Sequence, residues 1–308
     1  MDQDKSNLQK ILESGAFSVS AEIGPPMSAD ADIVIDKARE LKGIVDAANV
    51  TDNQTAVVRM SSIAASYLAH MNGVEPVVQM TCRDRNRIAI QSDLLGAYAL
   101  GLRNLLVLSG DHQIFGNHPQ SKNVYDVDSI QLLSSLNKMK EESLFMSGSP
   151  CKFPAKFFLG ATVNPFADPE ELQMIRLRKK IKAGARFVQT QAIYDVKKFE
   201  EWMEKARSFD LHKKAYILAG IVVNKSLKSL EMTGLVPGML VPEELIDRMR
   251  GAGKENYEKE GIGIALELIE GLRKIEGVSG IHIMAIGWES VVPQLVERAG
   301  FLPRPVID

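Results

Sequence analysis

The stretch Leu102-Arg103-Asn104-Leu105-Leu106-Val107-Leu108-Ser109-Gly110-Asp111 combines an aliphatic run with a Ser-Gly-Asp corner. The run is long enough for a β-strand, and its ending is typical of a buried parallel strand that delivers an acidic side chain into a loop. Several other apolar runs in the chain end in the same way, with a polar or acidic residue just past the run. This repetition predicts that strand ends meet at a functional site that includes Asp111.

Apolar runs of this kind alternate with helical patterns along the 308 residues. The predicted strands cover residues 17–23, 44–50, 76–82, 102–108, 157–163, 187–193, 215–222 and 280–286. The predicted helices cover residues 8–14, 31–41, 57–71, 86–100, 129–140, 169–183, 197–207, 257–275 and 290–299, and residues 227–250 are less regular.

Eight strands alternating with helices favour a closed (β/α)8 barrel, or TIM barrel, over an open doubly wound sheet. The GxGxxG pattern that a dinucleotide-binding open sheet usually carries does not follow the first strand. Chains of this length form either two ordinary domains or one α/β barrel. We therefore expect residues 1–308 to form one barrel domain, with a short helix before the first strand and a closing helix at the end.

Composition excludes several classes of function. The net charge is −2 with both signs interspersed, so neither nucleic acid nor an acidic membrane surface is expected as a partner. Residues 1–6 are polar and unlike a secretion signal, and no apolar run is long enough to span a bilayer, which predicts a cytoplasmic protein. Cys82 and Cys151 have no metal-site or disulfide spacing, so no metal site is expected in this chain.

Parallel barrels carry their sites at the carboxyl ends of the strands, where polar residues should therefore meet: Glu22, Thr51, Gln79, Asp111, Asn164 and Gln191. Glu22 precedes a rigid Gly-Pro-Pro turn. Its carboxyl is either partly desolvated, with a raised pKa that suits a general acid, or an ordinary acid solvated at a loop edge. Asp111 either binds a polar heterocycle or receives the amides of its own turn.

Other polar positions also have two interpretations. Gln79 and Gln191 either line a ligand cavity or satisfy a neighbouring strand end. The basic run 176–182 is mostly a solvated helix face, from which one member can reach a phosphate. Residues 111–126 form a long polar loop of the kind that serves as a lid or binding loop, and its His112 and His118 either contact substrate or lie on the surface.

Several short motifs follow one another along the chain. They are Ser18-Val19-Ser20-Ala21-Glu22-Ile23-Gly24-Pro25-Pro26, Val50-Thr51, Gln79-Met80-Thr81-Cys82, Ser109-Gly110-Asp111, Tyr125 with Asp128, Lys180-Ile181-Lys182-Ala183-Gly184-Ala185, and Thr190-Gln191. In this order and spacing the chain resembles the methylenetetrahydrofolate reductase family, flavin-dependent (β/α)8 enzymes, over essentially its whole length. The resemblance implies reduction of 5,10-methylenetetrahydrofolate to 5-methyltetrahydrofolate.

The resemblance also implies roles for individual residues. Glu22 matches the glutamate that protonates the folate and opens its methylene bridge to an iminium cation, which then accepts hydride from reduced flavin. Asp111 matches the aspartate that binds the pterin and stabilises this cation, and Gln191 matches a glutamine that contacts folate. The implied flavin contacts are Thr51, Gln79, Ser109, Gly110, Tyr125, Asn164 and Lys180.

The chain departs from the family on the flavin side of the site, where Ser109 replaces an arginine and Gln79 and Asn164 replace histidines. Losing a cationic contact weakens binding of a pyrophosphate, so the cofactor is FAD or FMN. Residues 192–194 are Ala-Ile-Tyr in place of the family's aromatic run. Because nicotinamide stacking in the family relies on aromatic surroundings, the implied electron donor is either NAD(P)H or a partner redox protein.

This divergent form resembles the anaerobic branch of the family, in which the flavin subunit works beside a cysteine-rich metal-binding partner, and an oligomer is expected. Two other functions stay open. One is a methyltransferase-type barrel that binds methyltetrahydrofolate without redox chemistry, and the other is a non-catalytic subunit of a larger assembly. A bound flavin distinguishes the reductase from the methyltransferase.

Overall fold

A computed structural model describes residues 5–307 of the chain. Within that range, eight parallel strands pair in chain order and close into a barrel through pairing of the last strand with the first. The predicted (β/α)8 fold is therefore confirmed. The strands are β1 Ser18–Ile23, β2 Ala47–Val50, β3 Pro76–Thr81, β4 Asn104–Leu108, β5 Phe158–Val163, β6 Phe187–Ala192, β7 Tyr216–Val222 and β8 Val278–Met284. Residues 1–4 and residue 308 lie outside the described range. Residues 1–4 are most of the segment that was predicted to be unlike a secretion signal.

Helices surround the barrel and cover one end of it. They are α1 Asn7–Glu13, α2 Asp32–Leu41, α3 Ser62–Met71, α4 Arg87–Ala99, α5 Ser129–Glu142, α6 Glu170–Lys182, α7 Val196–Ser208, α8 Leu211–Lys214, α9 Leu227–Gly234, α10 Glu243–Ala252, α11 Tyr257–Leu272 and α12 Val292–Arg298. Among residues 5–307, each helix is too short or too polar to cross a membrane.

Two predicted segments differ from the structure. The helix expected over residues 57–71 begins at Ser62, because residues 53–56 form a tight turn with left-handed backbone before it. The segment 227–250, which was expected to be irregular, contains α9 and most of α10, separated by residues 235–242.

The short helix α1 closes the amino-terminal end of the barrel. Its Leu8 and Leu12 are buried against side chains at the strand starts, including Phe158 and Phe187. The Glu75 carboxylate accepts hydrogen bonds from the first backbone amides of α1, which have no partner within the helix. Because this end is sealed by apolar packing, the polar cavity of the barrel lies at the opposite end.

A polar layer crosses the interior of the barrel below that cavity. The side-chain amides of Asn49 and Gln189 donate to each other at 2.7 and 3.1 Å. The Oγ atom of Ser20 lies 3.0 Å from Nδ1 of His282. Burial lowers the pKa of His282 to about 3, so its ring is neutral. The layer gives the cavity a hydrogen-bonding but uncharged floor.

Candidate functional site

A cavity of about 420 Å³ lies at the carboxyl end of the strands. This is the end at which parallel barrels carry their sites, and the volume falls in the range of small-molecule pockets. The structure brings most of the predicted site residues into its lining: Glu22, Gln79, Ser109, Gly110, Asp111, Asn164, Lys180 and Gln191. Of the strand ends that were predicted to meet, all but the one at Thr51 contribute to this lining, whereas the individual roles of the residues stay predictions.

Thr51 and Tyr125 lie beside the cavity rather than in its lining. Thr51 is buried, and its hydroxyl finds no hydrogen-bond partner among the described residues. The Tyr125 hydroxyl donates to the carbonyl oxygen of Gly110 at 3.2 Å. Tyr125 thus supports the turn that carries Asp111, while the Thr51 hydroxyl retains an unused hydrogen-bonding capacity.

Glu22 is the next-to-last residue of β1, and its half-buried side chain lines the cavity. Burial raises the pKa of Glu22 to about 7, and the nearby Glu289 carboxylate acts in the same direction. A hydrogen bond from Gln54 and the positive charge of Lys37 oppose this rise. Of the two interpretations of Glu22, the structure favours the desolvated acid with a raised pKa.

Asp111 follows β4 at an exposed position on the cavity edge. Its Oδ2 atom accepts a hydrogen bond from the backbone N–H of Thr55 at 3.1 Å, and its carbonyl oxygen accepts one from Arg83 at 3.1 Å. The backbone amide that donates to the Asp111 carboxylate therefore belongs to the loop that follows β2, and not to the turn of Asp111 itself.

The buried guanidinium of Arg83 joins three loops around the cavity. It donates to the carbonyl oxygens of Asn53, at 3.2 Å, and Asp111, at 3.1 Å, and it pairs with the Asp84 carboxylate at 2.7 Å. Arg83 is only 2% exposed, so these contacts hold the loops in a dry environment where charged hydrogen bonds are strong. The backbone positions of Asn53 and Asp111 are fixed relative to each other.

The long loop predicted over residues 111–126 packs against the loop that follows β2. The backbone N–H of Val58 donates to Asn117 Oδ1 at 3.1 Å, and Gly116 lies so close to Ala56 that a Cβ atom would be 1.8 Å from its carbonyl oxygen. His112 and His118 are not in the cavity lining. The loop therefore buttresses one wall of the site in this conformation.

Two cations stand on the β5 side of the cavity. Lys180 and Arg176, both on α6, line it, whereas the other basic residues of the run 176–182 do not. Burial lowers the pKa of Lys180 to about 8, and the charge of Arg176 adds to this effect. Nearby, the Oδ1 atom of Asn164 is buried and has no partner among the described residues. This side of the cavity can accept an anionic, hydrogen-bonding ligand.

Several lining residues were not among the sequence predictions, notably Asn49, Gln54, Arg83 and Gln189. Asn49 and Gln189 carry the same signal as Gln79, an amide within an otherwise apolar strand, and this signal could have identified them. Gln54 and Arg83 lie in loops, where no periodic pattern indicates which way a side chain points. Among residues 5–307, no cluster of three or more metal-ligating side chains occurs.

Fold and site define the class: this is a (β/α)8-barrel protein with a polar cavity at the carboxyl ends of its strands, containing a partly desolvated glutamate and an aspartate. The family model described as methylenetetrahydrofolate reductase matches residues 7–300. The chain therefore belongs to the methylenetetrahydrofolate reductase family, and the resemblance seen in its motifs is confirmed.

Named relatives are distant. A 5,10-methylenetetrahydrofolate reductase of Pectobacterium carotovorum is 23% identical over 297 residues, which cover 94% of this chain and 92% of the relative. A probable methylenetetrahydrofolate reductase (NADPH) of Caenorhabditis elegans is 24% identical over 254 residues, or 80% of this chain. The chain spans 35% of the length of that nematode protein, and 38% of methylenetetrahydrofolate reductase 1 of Schizosaccharomyces pombe.

Two solved structures share the fold. An uncharacterized protein from Clostridium thermocellum that binds two copies of 5-methyl-5,6,7,8-tetrahydrofolic acid has a TM-score of 0.63 and 13% identity, covering 96% of this chain and all of that one. Riboflavin lyase with modified FMN and riboflavin has a TM-score of 0.55 and 9% identity, covering 92% and 90%. At these identities the likeness establishes the fold alone.

Proposed function

We propose that this chain is a flavin-dependent reductase that converts 5,10-methylenetetrahydrofolate to 5-methyltetrahydrofolate. The observation that carries the proposal is that Glu22, with a pKa raised to about 7, opens into the same cavity as Asp111. A carboxyl with this pKa holds its proton in roughly half of the molecules at neutral pH, as a general acid requires. Membership of the family and the names of the relatives support the choice of substrate.

The residues of the cavity fit a flavin. Asn164, in the lining, has a buried Oδ1 without a partner among the described residues, which suits the polar edge of a flavin ring or its ribityl chain, and the Thr51 hydroxyl beside the cavity is likewise without a partner there. Lys180 and Arg176 place positive charge where a phosphate would be held. Gln79, Ser109 and Gly110 complete this side, and Tyr125 supports Gly110 from behind.

The cofactor is FMN or FAD. Ser109 offers a neutral hydroxyl where the family has an arginine, so the charge available for a second phosphate is reduced. The chemistry that either flavin supplies when bound is hydride transfer to the substrate.

The chain's own residues handle the proton and the charge. The Glu22 carboxyl gives its proton to a bridging nitrogen of the folate, and the five-membered ring opens to an iminium cation. The Asp111 carboxylate stands at the cavity edge, where it binds the pterin and stabilises the positive charge that develops. Gln191 contributes a further amide contact to the folate. The floor of Asn49, Gln189 and a neutral His282 adds hydrogen-bonding groups beneath these two carboxyl groups without adding charge.

The test is an absorption spectrum of the purified chain, with the released chromophore identified by mass. The sample is then photoreduced and mixed anaerobically with methylenetetrahydrofolate. Bleaching on reduction and return of flavin absorbance with folate are the expected results, and the mass of the released chromophore distinguishes FMN from FAD. A colourless chain that neither flavin reconstitutes would contradict the proposal.

Methyltetrahydrofolate binding without redox chemistry is the second candidate, because a structural neighbour with this fold binds that compound. It predicts folate affinity in a chain without flavin. A silent subunit, in contrast, would show neither flavin nor folate binding. The proposal further includes an electron donor, NAD(P)H or a partner redox protein such as a cysteine-rich metal-binding subunit, and assembly into an oligomer. Replacing photoreduction by each candidate donor tests the donor, and size-exclusion chromatography tests the assembly.

A further inference from the structure

We propose that Gln54 is a positioning residue that orients the carboxyl group of Glu22, and that the loop formed by residues 53–56 holds Glu22 and Asp111 in a fixed relation. The Nε2 atom of Gln54 donates to Glu22 Oε1 at 3.4 Å. The next residue, Thr55, donates its backbone N–H to Asp111 Oδ2 at 3.1 Å. Two consecutive residues of one loop thus contact the two carboxyl groups, Glu22 and Asp111, that act in the proposed reaction. The inference rests on that proposed function.

The backbone of this loop has an unusual conformation. Asn53, Thr55 and Ala56 have φ angles of 46°, 55° and 57°, in the left-handed region that favours glycine. For a β-branched residue such as Thr55 this conformation is costly. Such strain persists where the surroundings impose it, and it concentrates at functional sites.

The surroundings of the loop impose this left-handed backbone conformation. Asn53 Oδ1 accepts a hydrogen bond from the backbone N–H of Arg59 at 3.0 Å, and the Asn53 carbonyl accepts one from the buried Arg83. Gly116 packs against the carbonyl oxygen of Ala56, where a side chain would not fit. The loop is therefore held at both ends and from above, and Gln54 projects from a rigid base.

The chemistry of an amide suits this position. The Gln54 amide donates to Oε1 of Glu22, which leaves Oε2 available to carry the proton. Because the amide is neutral, it orients the Glu22 carboxyl without holding that group permanently ionised. The charged groups that act on Glu22 are Lys37 of α2 and Glu289 beyond β8, which pair with each other at 2.6 Å. The other titratable or charged side chains in the cavity lining are Asp52, Arg83, Asp111, Arg176, Lys180 and His282.

The test replaces Gln54 by methionine, which keeps the volume of the side chain and removes its donor. In the flavin-loaded full chain, reoxidation by methylenetetrahydrofolate should slow by about 10- to 100-fold, the cost expected for a misplaced catalytic group. The hydrogen bond from Gln54 stabilises the ionised form of Glu22, so its removal should raise the pKa of Glu22. The pH midpoint of this reaction should therefore rise. Folate affinity should change much less than the rate. An unchanged rate and pH midpoint would overturn the proposal.

Two further variants sharpen the result. Gln54→Asn keeps the amide but shortens the arm, so it should behave like the methionine variant; full activity would contradict a role for the contact. Gln9→Met removes the same group from α1, at the sealed end of the barrel, and should leave the rate unchanged.

A measurement that does not require turnover distinguishes failure of this inference from failure of the proposed function. The titration of Glu22 can be followed by isotope-edited infrared spectroscopy of its carboxyl in the wild-type chain and in Gln54→Met. A higher pKa in the variant is expected even if the wild-type chain fails to reduce folate. Equal pKa values would overturn the positioning role by themselves, and Gln54→Asn serves for the same measurement if the methionine variant does not fold.

Discussion

The ammonium group of Lys180, on α6, donates a hydrogen bond of 2.6 Å to the carbonyl oxygen of Thr162 on β5. This contact fixes a partly desolvated cation at the wall of the cavity. We expect Lys180→Met to weaken binding of the flavin phosphate by about 10-fold or more, because a charge-assisted contact in a shielded site is lost. Fluorescence titration of the apoprotein with FMN measures the change.

Lys179 provides the matched control, since it is the preceding residue of α6 and lies outside the cavity. Lys179→Met should leave flavin affinity within about twofold of the wild type. The pKa of Lys180, lowered to about 8, adds a pH signature. Wild-type affinity should fall above about pH 8 as the ammonium deprotonates, and this fall should be absent from Lys180→Met. Equal pH profiles in the two proteins would place the phosphate elsewhere.

Glu22→Gln removes the proposed acid while keeping its shape. The rate of flavin reoxidation by methylenetetrahydrofolate should fall by about 10²- to 10⁴-fold, whereas flavin binding and photoreduction should persist. Stopped-flow absorbance follows both steps. Glu200→Gln, at an exposed position of α7, is the control and should react at the wild-type rate. Wild-type folate reduction by Glu22→Gln would remove Glu22 from the mechanism.

The raised pKa of Glu22 predicts how the rate depends on pH. A general acid must be protonated, so the rate of the folate step should be constant well below pH 7 and fall about tenfold per unit above it. Measuring the single-turnover rate between pH 5.5 and 9 tests this. A flat profile across this range would mean that Glu22 is not the group that gives the proton.

The same pKa predicts an effect on stability. Between its ordinary value of 4.5 and about 7, Glu22 is protonated in the folded chain but ionised in the unfolded chain. Its contribution to the free energy of unfolding is therefore fully present below pH 4.5 and is lost as pH rises through 7. Glu22→Gln should be more stable than the wild type at pH 8, by roughly 1–3 kcal/mol, and similar at pH 5. Urea unfolding at the two pH values provides the comparison.

Arg85 and Asp52 form a shielded ion pair at the wall of the cavity. Arg85 donates to both carboxylate oxygens of Asp52, at 2.7 and 3.2 Å, and the Asp52 side chain is inaccessible to solvent. Arg85→Met should lower the free energy of unfolding by about 3 kcal/mol, because a buried carboxylate loses its counter-charge. Arg87→Met, which breaks the exposed pair with Asp126, should cost less than about 1 kcal/mol. Similar losses in the two variants would contradict this.

Gly160 marks a position in β5 where the core leaves no room for a side chain. A Cβ atom there would lie 2.2 Å from the ring of Phe187. Gly160→Ala should therefore destabilise the chain by about 1–3 kcal/mol through overpacking. Gly263→Ala, in α11 with open space around it, should instead stabilise the chain by up to about 1 kcal/mol. Thermal unfolding of both variants distinguishes steric exclusion from a general effect of removing glycine.

Much of the barrel could be predicted because its signals are local. A strand buried on both faces must be apolar along its length, so the runs that became β3 and β4 are visible in the sequence and end at the polar residues of the site. Parallel strands in a closed barrel place their carboxyl ends together, so a correct count of strands also predicted that Glu22, Gln79 and Asp111 would meet. Asp128, directly before the helix predicted over residues 129–140, caps α5 in a capping box.

The electrostatics and precise contacts of the site required the tertiary structure. Whether Glu22 is a solvated acid or a desolvated one depends on how the folded barrel buries it, and Glu289, more than 260 residues away in the chain, adds to the rise of its pKa. The contact between Gln54 and Glu22 depends on left-handed backbone at residues that are not glycine, which no propensity indicates. Local patterns specify which segments become strands and where they end, because that choice follows from burial along each segment. The orientation and pKa of a side chain at the cavity depend on the groups that folding brings around it, so they are properties of the assembled barrel.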